Sequence, residues 1–200
     1  MGSRLKDKVA IVTGAGSVGP GWGNGRATVV RFAEEGAKIF AVDLKKDSLI
    51  ETTQKAQGEI HTHLCDVTDG KAVAQMVDAC LKTFGRIDVL VNNVGGSAAG
   101  GPVEMAEEVW DAQVDYNLKS VFLGCKHALP VMERQGSGAI VNIASTSALR
   151  WTGSAQVAYA ATDELHQHFV AGRHASPIDV GIDAVGVAIG LVAWRRLAER

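Results

Sequence analysis

A glycine-rich stretch, residues 13–27, constrains the fold of this chain more than any other feature. An apolar run at 9–13 precedes it, and a segment with helical spacing of apolar residues, 25–35, follows it. Glycines at such a junction let the backbone turn tightly and approach a pyrophosphate, whose charge the free N–H groups of the helix start stabilise. Asp43 ends the next predicted strand, 18 residues after Gly25, where a carboxylate can bind ribose hydroxyls. The stretch predicts a dinucleotide-binding βαβ unit.

The rest of the chain continues the same alternation of short β-branched runs and longer amphipathic segments. This order predicts an α/β fold, a Rossmann-type doubly wound parallel sheet in three α/β/α layers with about six strands. We expect one domain over residues 1–200, since no linker or repeat divides the chain. The predicted strands are 9–13, 38–42, 59–64, 87–91, 138–144 and 178–187, and the predicted helices are 25–35, 46–57, 71–84, 105–134 and 155–170.

Charge and composition exclude several classes of partner. The net charge of -2 and the pI near 6.3 provide no basic surface for nucleic acid or an anionic membrane. Three cysteines without a CxxC pair indicate buried free thiols and a reducing compartment. The apolar run near the N-terminus is too short for a signal peptide, so we expect a cytoplasmic protein. His61 and His63 alternate on one strand, but no carboxylate or thiol has a matching ligand spacing, and we expect no metal site.

Five further motifs follow predicted strands or lie in predicted helices. They are Asp66-Val67, Asn92-Asn93-Val94-Gly95, Asn117, Ser145 and Tyr159. Together with the glycine stretch, these residues resemble the short-chain dehydrogenase/reductase family over about residues 5–162. The resemblance implies hydride transfer between a nicotinamide dinucleotide and a secondary alcohol or ketone. It assigns Tyr159 as the acid/base, Ser145 as the group that orients the substrate oxygen, and Asn117 as part of the proton relay. The implied cofactor-binding residues are Gly14, Gly23, Asn24, Gly25, Asp43, Asp66, Val67, Asn93, Gly95 and Tyr159.

The glycine stretch departs from the family spacing. Eight residues separate Gly14 from Gly23, where the family has three, so five extra residues must bulge from the loop. We align Gly23 and Gly25 with the family's helix start, because this alignment keeps the helix and Asp43 in register; Gly19 and Gly21 are the alternative. Trp22 in the bulge either covers the cofactor or is a surface aromatic.

Asp43 favours NAD over NADP, because its carboxylate would repel a 2′-phosphate. Lys45 and Lys46 follow it directly, and their charge would favour NADP. We therefore expect NAD, with NADP as the less favoured cofactor.

A second departure follows Tyr159. The family has lysine four residues later, and this chain has Asp163. The family's lysine lowers the tyrosine pKa, whereas a carboxylate disfavours the phenolate. We expect weak or absent turnover with retained dinucleotide binding; the alternative is a catalytically inactive dinucleotide-binding protein. Residues 163–200 are interpreted as divergent or truncated, which would leave an open substrate cleft.

The predicted helix 105–134 carries a broad apolar stripe that includes Val109, Val121 and Phe122. In the resembling family this helix and the next form a dimer interface. We expect a homodimer, with a tetramer as the less favoured assembly.

Overall fold

The computed structural model of the protein describes residues 3–144. Within this range five parallel strands form one sheet in the order β3-β2-β1-β4-β5. The strands are β1 Val9–Thr13, β2 Lys38–Asp43, β3 Ile60–Leu64, β4 Val89–Asn92 and β5 Ala139–Asn142. The helices are α1 Asn24–Glu34, α2 Lys46–Lys55, α3 Gly70–Phe84, α4 Glu107–Val114 and α5 Ser120–Gln135, and a π-helical turn, Asp115–Lys119, joins α4 to α5.

The sheet is covered on both faces, which explains the nearly continuous apolar sequence of β1. Val9 and Ile11 face one core, which contains apolar residues of α3 and α5. Ala10 and Val12 face the other, which contains Val29 and other apolar residues of α1 and α2. The fold class and its three layers are thus confirmed by the described residues.

Within the described residues, the predicted strands and helices are present, but several begin or end at other residues than predicted. β4 begins at Val89 rather than at residue 87, and the preceding Asp88 forms ion pairs with Lys8 and Arg86. β5 spans Ala139–Asn142, which is shorter than the predicted 138–144. The predicted helix 105–134 was wrong as one uninterrupted α-helix, since the π-helical turn divides it. The predicted strand 178–187 and helix 155–170 lie outside the described residues.

All three cysteines are free and buried, as expected. Burial raises the pKa of Cys65 to about 11 and that of Cys80 to about 12, so both thiols stay protonated at neutral pH. Among residues 3–144, none of the helices combines the length and the apolar character needed to cross a membrane.

Candidate functional site

A cleft of about 380 Å³ opens where the carboxyl ends of β1 to β4 meet. Open parallel α/β sheets bind ligands at this edge. The residues that line the cleft include every predicted cofactor residue within the described range. These predicted cofactor residues are Gly14, Gly23, Asn24, Gly25, Asp43, Asp66, Val67, Asn93 and Gly95.

The glycine loop closes tightly beneath the start of α1. Gly14 has a φ of +60°, a conformation that favours glycine. A Cβ on Gly25 would lie 1.8 Å from the carbonyl oxygen of Gly14, so only glycine fits there. A Cβ on Gly19 or on Gly21, by contrast, would meet no described atom within 4 Å. The close approach of Gly25 to Gly14 therefore favours aligning Gly23 and Gly25, rather than Gly19 and Gly21, with the helix start of the family.

The start of α1 faces the cleft. Gly23 is its N-cap and provides no side chain to bond the first N–H groups, and the first turn carries no acidic residue. Free N–H groups and the positive end of the helix dipole together form an anion site. This cradle of close-packed glycines fits a dinucleotide pyrophosphate.

The side chains that hold the enlarged loop were not predicted from the sequence. Arg26 is 1% exposed and donates from Nε to Oγ1 of Thr52 at 3.1 Å, and from Nη2 to Glu51 at 2.9 Å. It also donates to the carbonyl oxygen of Gly21 in the bulge. The Ser48 hydroxyl accepts from the N–H of Ser17 at 2.7 Å. These contacts fasten the bulge to α2.

Trp22 is 62% exposed and is not among the residues that line the cleft. Lys55 lies over its ring, with Nζ 5.7 Å from the centroid. Of the two interpretations of Trp22, the structure favours the surface aromatic.

Asp43 lies at the end of β2 with both carboxylate oxygens engaged. Oδ2 accepts from the N–H of Gly16 at 2.9 Å, and Oδ1 accepts from the N–H of Lys45 at 3.0 Å. Each carboxylate oxygen can accept a further hydrogen bond. Two backbone donors therefore preset the carboxylate in the wall of the cleft, where ribose hydroxyls could reach it.

Asp66 and Val67 form the next part of the wall, after β3. Oδ1 of Asp66 accepts from the backbone N–H and the hydroxyl of Thr68, at 2.9 and 2.7 Å. These hydrogen bonds lower the pKa of Asp66, to which the charge of Lys119 also contributes. Asp66 is thus a fixed anion beside the apolar side chains of Val67 and Cys65.

Asn93 supports the cleft from below. Its Nδ2 donates to the carbonyl oxygens of Thr13 and Gly14, at 3.2 and 3.0 Å. Its backbone N–H donates to the Thr13 hydroxyl at 3.1 Å. Through these bonds, the loop after β4 fixes the glycine loop after β1.

Asn117 is 1% exposed and lies in the π-helical turn. Its Oδ1 accepts from the N–H of Gly96 at 2.9 Å, and its Nδ2 donates to the carbonyl oxygens of Gly96 and Gln113, each at 2.9 Å. Gln113 also accepts from the N–H of Ala98 at 3.0 Å. The loop 95–101 is thus anchored at two points.

Tyr116 lies beside Asn117 and was not predicted as a site residue. It lines the cleft, and a Cβ on Gly96 would lie 3.0 Å from its Cε1. Burial raises the pKa of its hydroxyl, and the charges of Asp43 and Asp66 raise it further. Tyr116 lies in the π-helical turn, where the helical register shifts, and the spacing of residues in the sequence does not reveal this shift.

The histidines of β3 have aromatic rather than ionic neighbours. His61 packs edge-on against Phe84 with ring centroids 5.1 Å apart, and His63 packs on Phe40 at 5.4 Å. Desolvation lowers the pKa of His63. Over residues 3–144, no group of three or more His, Cys, Asp or Glu side chains could hold a metal ion.

The sequence model of the short chain dehydrogenase family matches residues 8–199 of this chain. The chain belongs to the short-chain dehydrogenase family. The match includes the whole sheet and the glycine loop described above.

Individual relatives agree with this assignment. The 3-oxoacyl-[acyl-carrier-protein] reductase of Thermotoga maritima is 38% identical over 80% of this chain and 63% of its own length. A solved protein of Burkholderia xenovorans, assigned to the short-chain dehydrogenases/reductases, is 55% identical with a TM-score of 0.80, over 81% of this chain and 63% of that one. A structure of NAD+-bound xylitol dehydrogenase is 32% identical with a TM-score of 0.73, over 80% of this chain and 61% of that one. The matched part of this chain thus spans somewhat under two thirds of each of these relatives.

Ser145, Tyr159 and Asp163, the remaining residues singled out from the family's motifs, lie outside the described residues. The described chain ends just before Ser145, and there Asn92 donates from Nδ2 to Oδ1 of Asn142 at 2.9 Å. Asn92 is 4% exposed. This bond joins the carboxyl ends of β4 and β5, the latter being three residues before Ser145.

Proposed function

We propose that this short-chain dehydrogenase binds NAD and transfers hydride between its nicotinamide and the carbon of a secondary alcohol or ketone. The observation that carries the proposal is the glycine cradle at the start of α1, with the Asp43 carboxylate across the same cleft. The cradle complements a pyrophosphate and Asp43 complements ribose hydroxyls, so the residues present fit this cofactor. The relative with NAD+ bound, xylitol dehydrogenase, gives further support.

The preference for NAD over NADP rests on Asp43. Because backbone N–H groups of Gly16 and Lys45 hold both carboxylate oxygens, this anion cannot turn away from a 2′-phosphate without losing two hydrogen bonds. The resulting repulsion would outweigh the Lys45 and Lys46 ammonium groups, which sit on flexible, hydrated side chains. NADP is therefore the weaker cofactor in this proposal.

The remaining cofactor contacts follow from the cleft. Gly14, Gly23, Asn24 and Gly25 would surround the pyrophosphate, and Asp66 and Val67 would contact the adenine. Asn93 and Gly95 would support the dinucleotide from the loop after β4. Tyr159 would bind the nicotinamide end as well as exchange a proton.

The proposed chemistry needs one hydride and one proton. When bound, the nicotinamide supplies or accepts the hydride at its C4 atom. In the reduction, Tyr159 Oη would give its proton to the substrate oxygen, and in the oxidation it would take that proton back. Ser145 would donate a hydrogen bond to the same oxygen and orient it. Asn117, anchored to Gly96 and Gln113, would hold the π-helical turn in place for proton relay.

Turnover on a panel of ketones and secondary alcohols tests the proposal, with loss or gain of NADH absorbance as the signal. We expect slow, saturable turnover with NAD(H), faster than with NADP(H), and a loss of at least 100-fold in kcat for Tyr159→Phe, with NADH affinity reduced far less than kcat. Binding without turnover on any substrate would instead identify a catalytically inactive dinucleotide-binding protein. The comparisons give that alternative no support, since two of the relatives described above are named as a reductase and a dehydrogenase.

We further propose a cytoplasmic homodimer. Three buried free thiols are compatible with a reducing compartment. Val109, Trp110 and Phe122 of α4 and α5 are 37 to 44% exposed, so these two helices present several large apolar side chains at the surface. Sedimentation of the full chain should yield the mass of two copies, whereas a single copy at micromolar concentration would contradict this part of the proposal.

A further inference from the structure

The side chain of Gln113, on α4, holds the loop 95–101 and has no role in the proposed function. Its Oε1 accepts from the backbone N–H of Ala98 at 3.0 Å. Its backbone carbonyl oxygen accepts from Nδ2 of Asn117 at 2.9 Å, and the side chain is half-buried. Only the oxygen of the Gln113 amide takes part in the bond to Ala98, so a carboxylate oxygen in the same place could also accept it.

The loop depends on such anchors because all seven of its residues are Gly, Ala or Ser. Small side chains pack little, and the four glycines give an unanchored backbone many conformations. Asn117 binds the N–H and the carbonyl oxygen of Gly96, each at 2.9 Å. Gln113, about one helical turn earlier, binds Ala98. Hydrogen bonds to residues 96 and 98, rather than side-chain packing, therefore determine the shape of the loop.

The loop lies toward the nicotinamide end of the proposed cofactor site. It follows β4, and Gly95 at its start lines the cleft. Asp43 and Asp66, which would contact the adenosine, follow β2 and β3 on the other side of β1. A dinucleotide that spans this edge of the sheet would thus bring its nicotinamide toward β4 and β5. Because the substrate must meet the nicotinamide there, the loop 95–101 borders the space for the substrate.

We propose that Gln113 is a positioning residue for the ketone or alcohol substrate, acting through its hydrogen bond to the Ala98 N–H. The proposal rests on the proposed function and deepens it, since it names a residue that sets substrate affinity. With this bond, the loop has its binding shape before the substrate arrives. Without it, part of the binding free energy would be spent on ordering the loop. Loss of one such hydrogen bond weakens binding roughly threefold to tenfold.

Steady-state kinetics at saturating NADH test the proposal, with the ketone that has the highest kcat/KM in the panel described above. Gln113→Leu should raise the KM for this ketone at least threefold and leave kcat within twofold, because only the ordering of the loop changes. KM approximates the dissociation constant when the chemical step is slow, as we expect for this chain. Gln113→Glu should return KM to within twofold of the wild type, since its carboxylate can accept the Ala98 N–H.

Hydrogen exchange followed by mass spectrometry provides a readout that needs no turnover. The peptide that contains Ala98 should exchange faster in Gln113→Leu, and Gln113→Glu should restore its protection. The affinity for 5′-AMP should stay unchanged in both variants, because the adenosine end of the site lies on the other side of β1. If Gln113→Leu fails to fold, Gln113→Met takes its place, since methionine keeps the length of the side chain.

Gln135→Leu is the matched control. Gln135 is also half-buried, and its side-chain amide binds the N–H and the carbonyl oxygen of Ile87, at 3.0 and 2.7 Å. Ile87 precedes β4, at the edge of the sheet opposite the cleft. This variant should lower the free energy of unfolding but leave the ketone KM and the exchange at Ala98 unchanged.

The outcomes separate this inference from the proposed function. Unchanged KM or unchanged exchange in Gln113→Leu would overturn the inference and leave the proposed function standing. An equal rise of KM in Gln135→Leu, or a failure of Gln113→Glu to restore KM, would do the same. NADH binding by the wild type without turnover on any ketone would overturn both.

Discussion

Replacing Arg26 with methionine tests whether the enlarged glycine loop is held by a buried guanidinium. The side chain is 1% exposed and donates to Thr52, Glu51 and the carbonyl oxygens of Ser48 and Gly21. Removing one partner of a fully buried ion pair costs about 3–5 kcal/mol. Glu51 is 56% exposed, so water can solvate its carboxylate in the variant, and methionine fills part of the space. We therefore expect a loss of about 2–4 kcal/mol in the free energy of unfolding.

Urea unfolding followed by circular dichroism measures this loss, and NADH titration measures its effect on the cleft. We expect the midpoint to fall and NADH affinity to drop, because the bulge is no longer fastened to α2. Glu51→Gln is the control: it alters only the exposed partner and should cost less than about 1 kcal/mol. A free energy of unfolding for Arg26→Met within about 0.5 kcal/mol of the wild type would refute the reasoning.

Three further substitutions test the glycine cradle, the Arg4–Glu35 ion pair and the residue at position 163. Gly25→Ala should lower NADH affinity more than tenfold, since its Cβ would lie 1.8 Å from the Gly14 carbonyl oxygen, whereas Gly19→Ala, in open space, should bind normally; equal affinities would place the pyrophosphate elsewhere. The pKa of Glu35 is lowered from 4.5 to about 2, and the hydrogen bond from Arg4 is the largest cause. The ionised Glu35 carboxylate therefore contributes its full stabilisation above pH 4.5, and this stabilisation is lost as the pH falls toward 2. The difference in urea midpoint between wild type and Glu35→Gln should therefore shrink over that interval, and a constant difference would contradict the assignment. Asp163→Lys should raise kcat at neutral pH by placing a positive charge four residues from Tyr159, as single-turnover rates would reveal; an unchanged rate would mean that position 163 does not limit the chemistry.

Sequence patterns predicted the parallel sheet and the position of the glycine cradle because both depend on local spacing. Continuous apolar runs such as β1 are typical of strands covered on both faces. The 18-residue interval from Gly25 to Asp43 favoured the alignment through Gly23 and Gly25, although five additional residues precede Gly23. The predicted helix began at residue 25, and in the structure α1 begins one residue earlier, at Asn24, with Gly23 as its N-cap.

The missed residues act through contacts between segments distant in sequence. Arg26 resembled an ordinary polar residue of a helix start, and only the packing of α1 on α2 reveals that Thr52 and Glu51 surround it. Likewise, the apolar stripe of 105–134 continues across the π-helical turn, so periodicity could not show that the register shifts at Tyr116. Asn117 was selected through the family's motif, but its bonds to the loop after β4 required the tertiary structure.

Titration of the wild-type protein with NADH and, separately, NADPH tests the central claim most directly, with nicotinamide fluorescence as the signal. We expect saturable binding of NADH, with NADPH at least tenfold weaker because of the fixed Asp43 carboxylate. Asp43→Ala should bring the two affinities closer together, because it removes a ligand of the NADH ribose and the repulsion of the NADPH 2′-phosphate. Saturable binding of neither dinucleotide would contradict the assignment of the cleft, and tighter binding of NADPH would contradict the role given to Asp43.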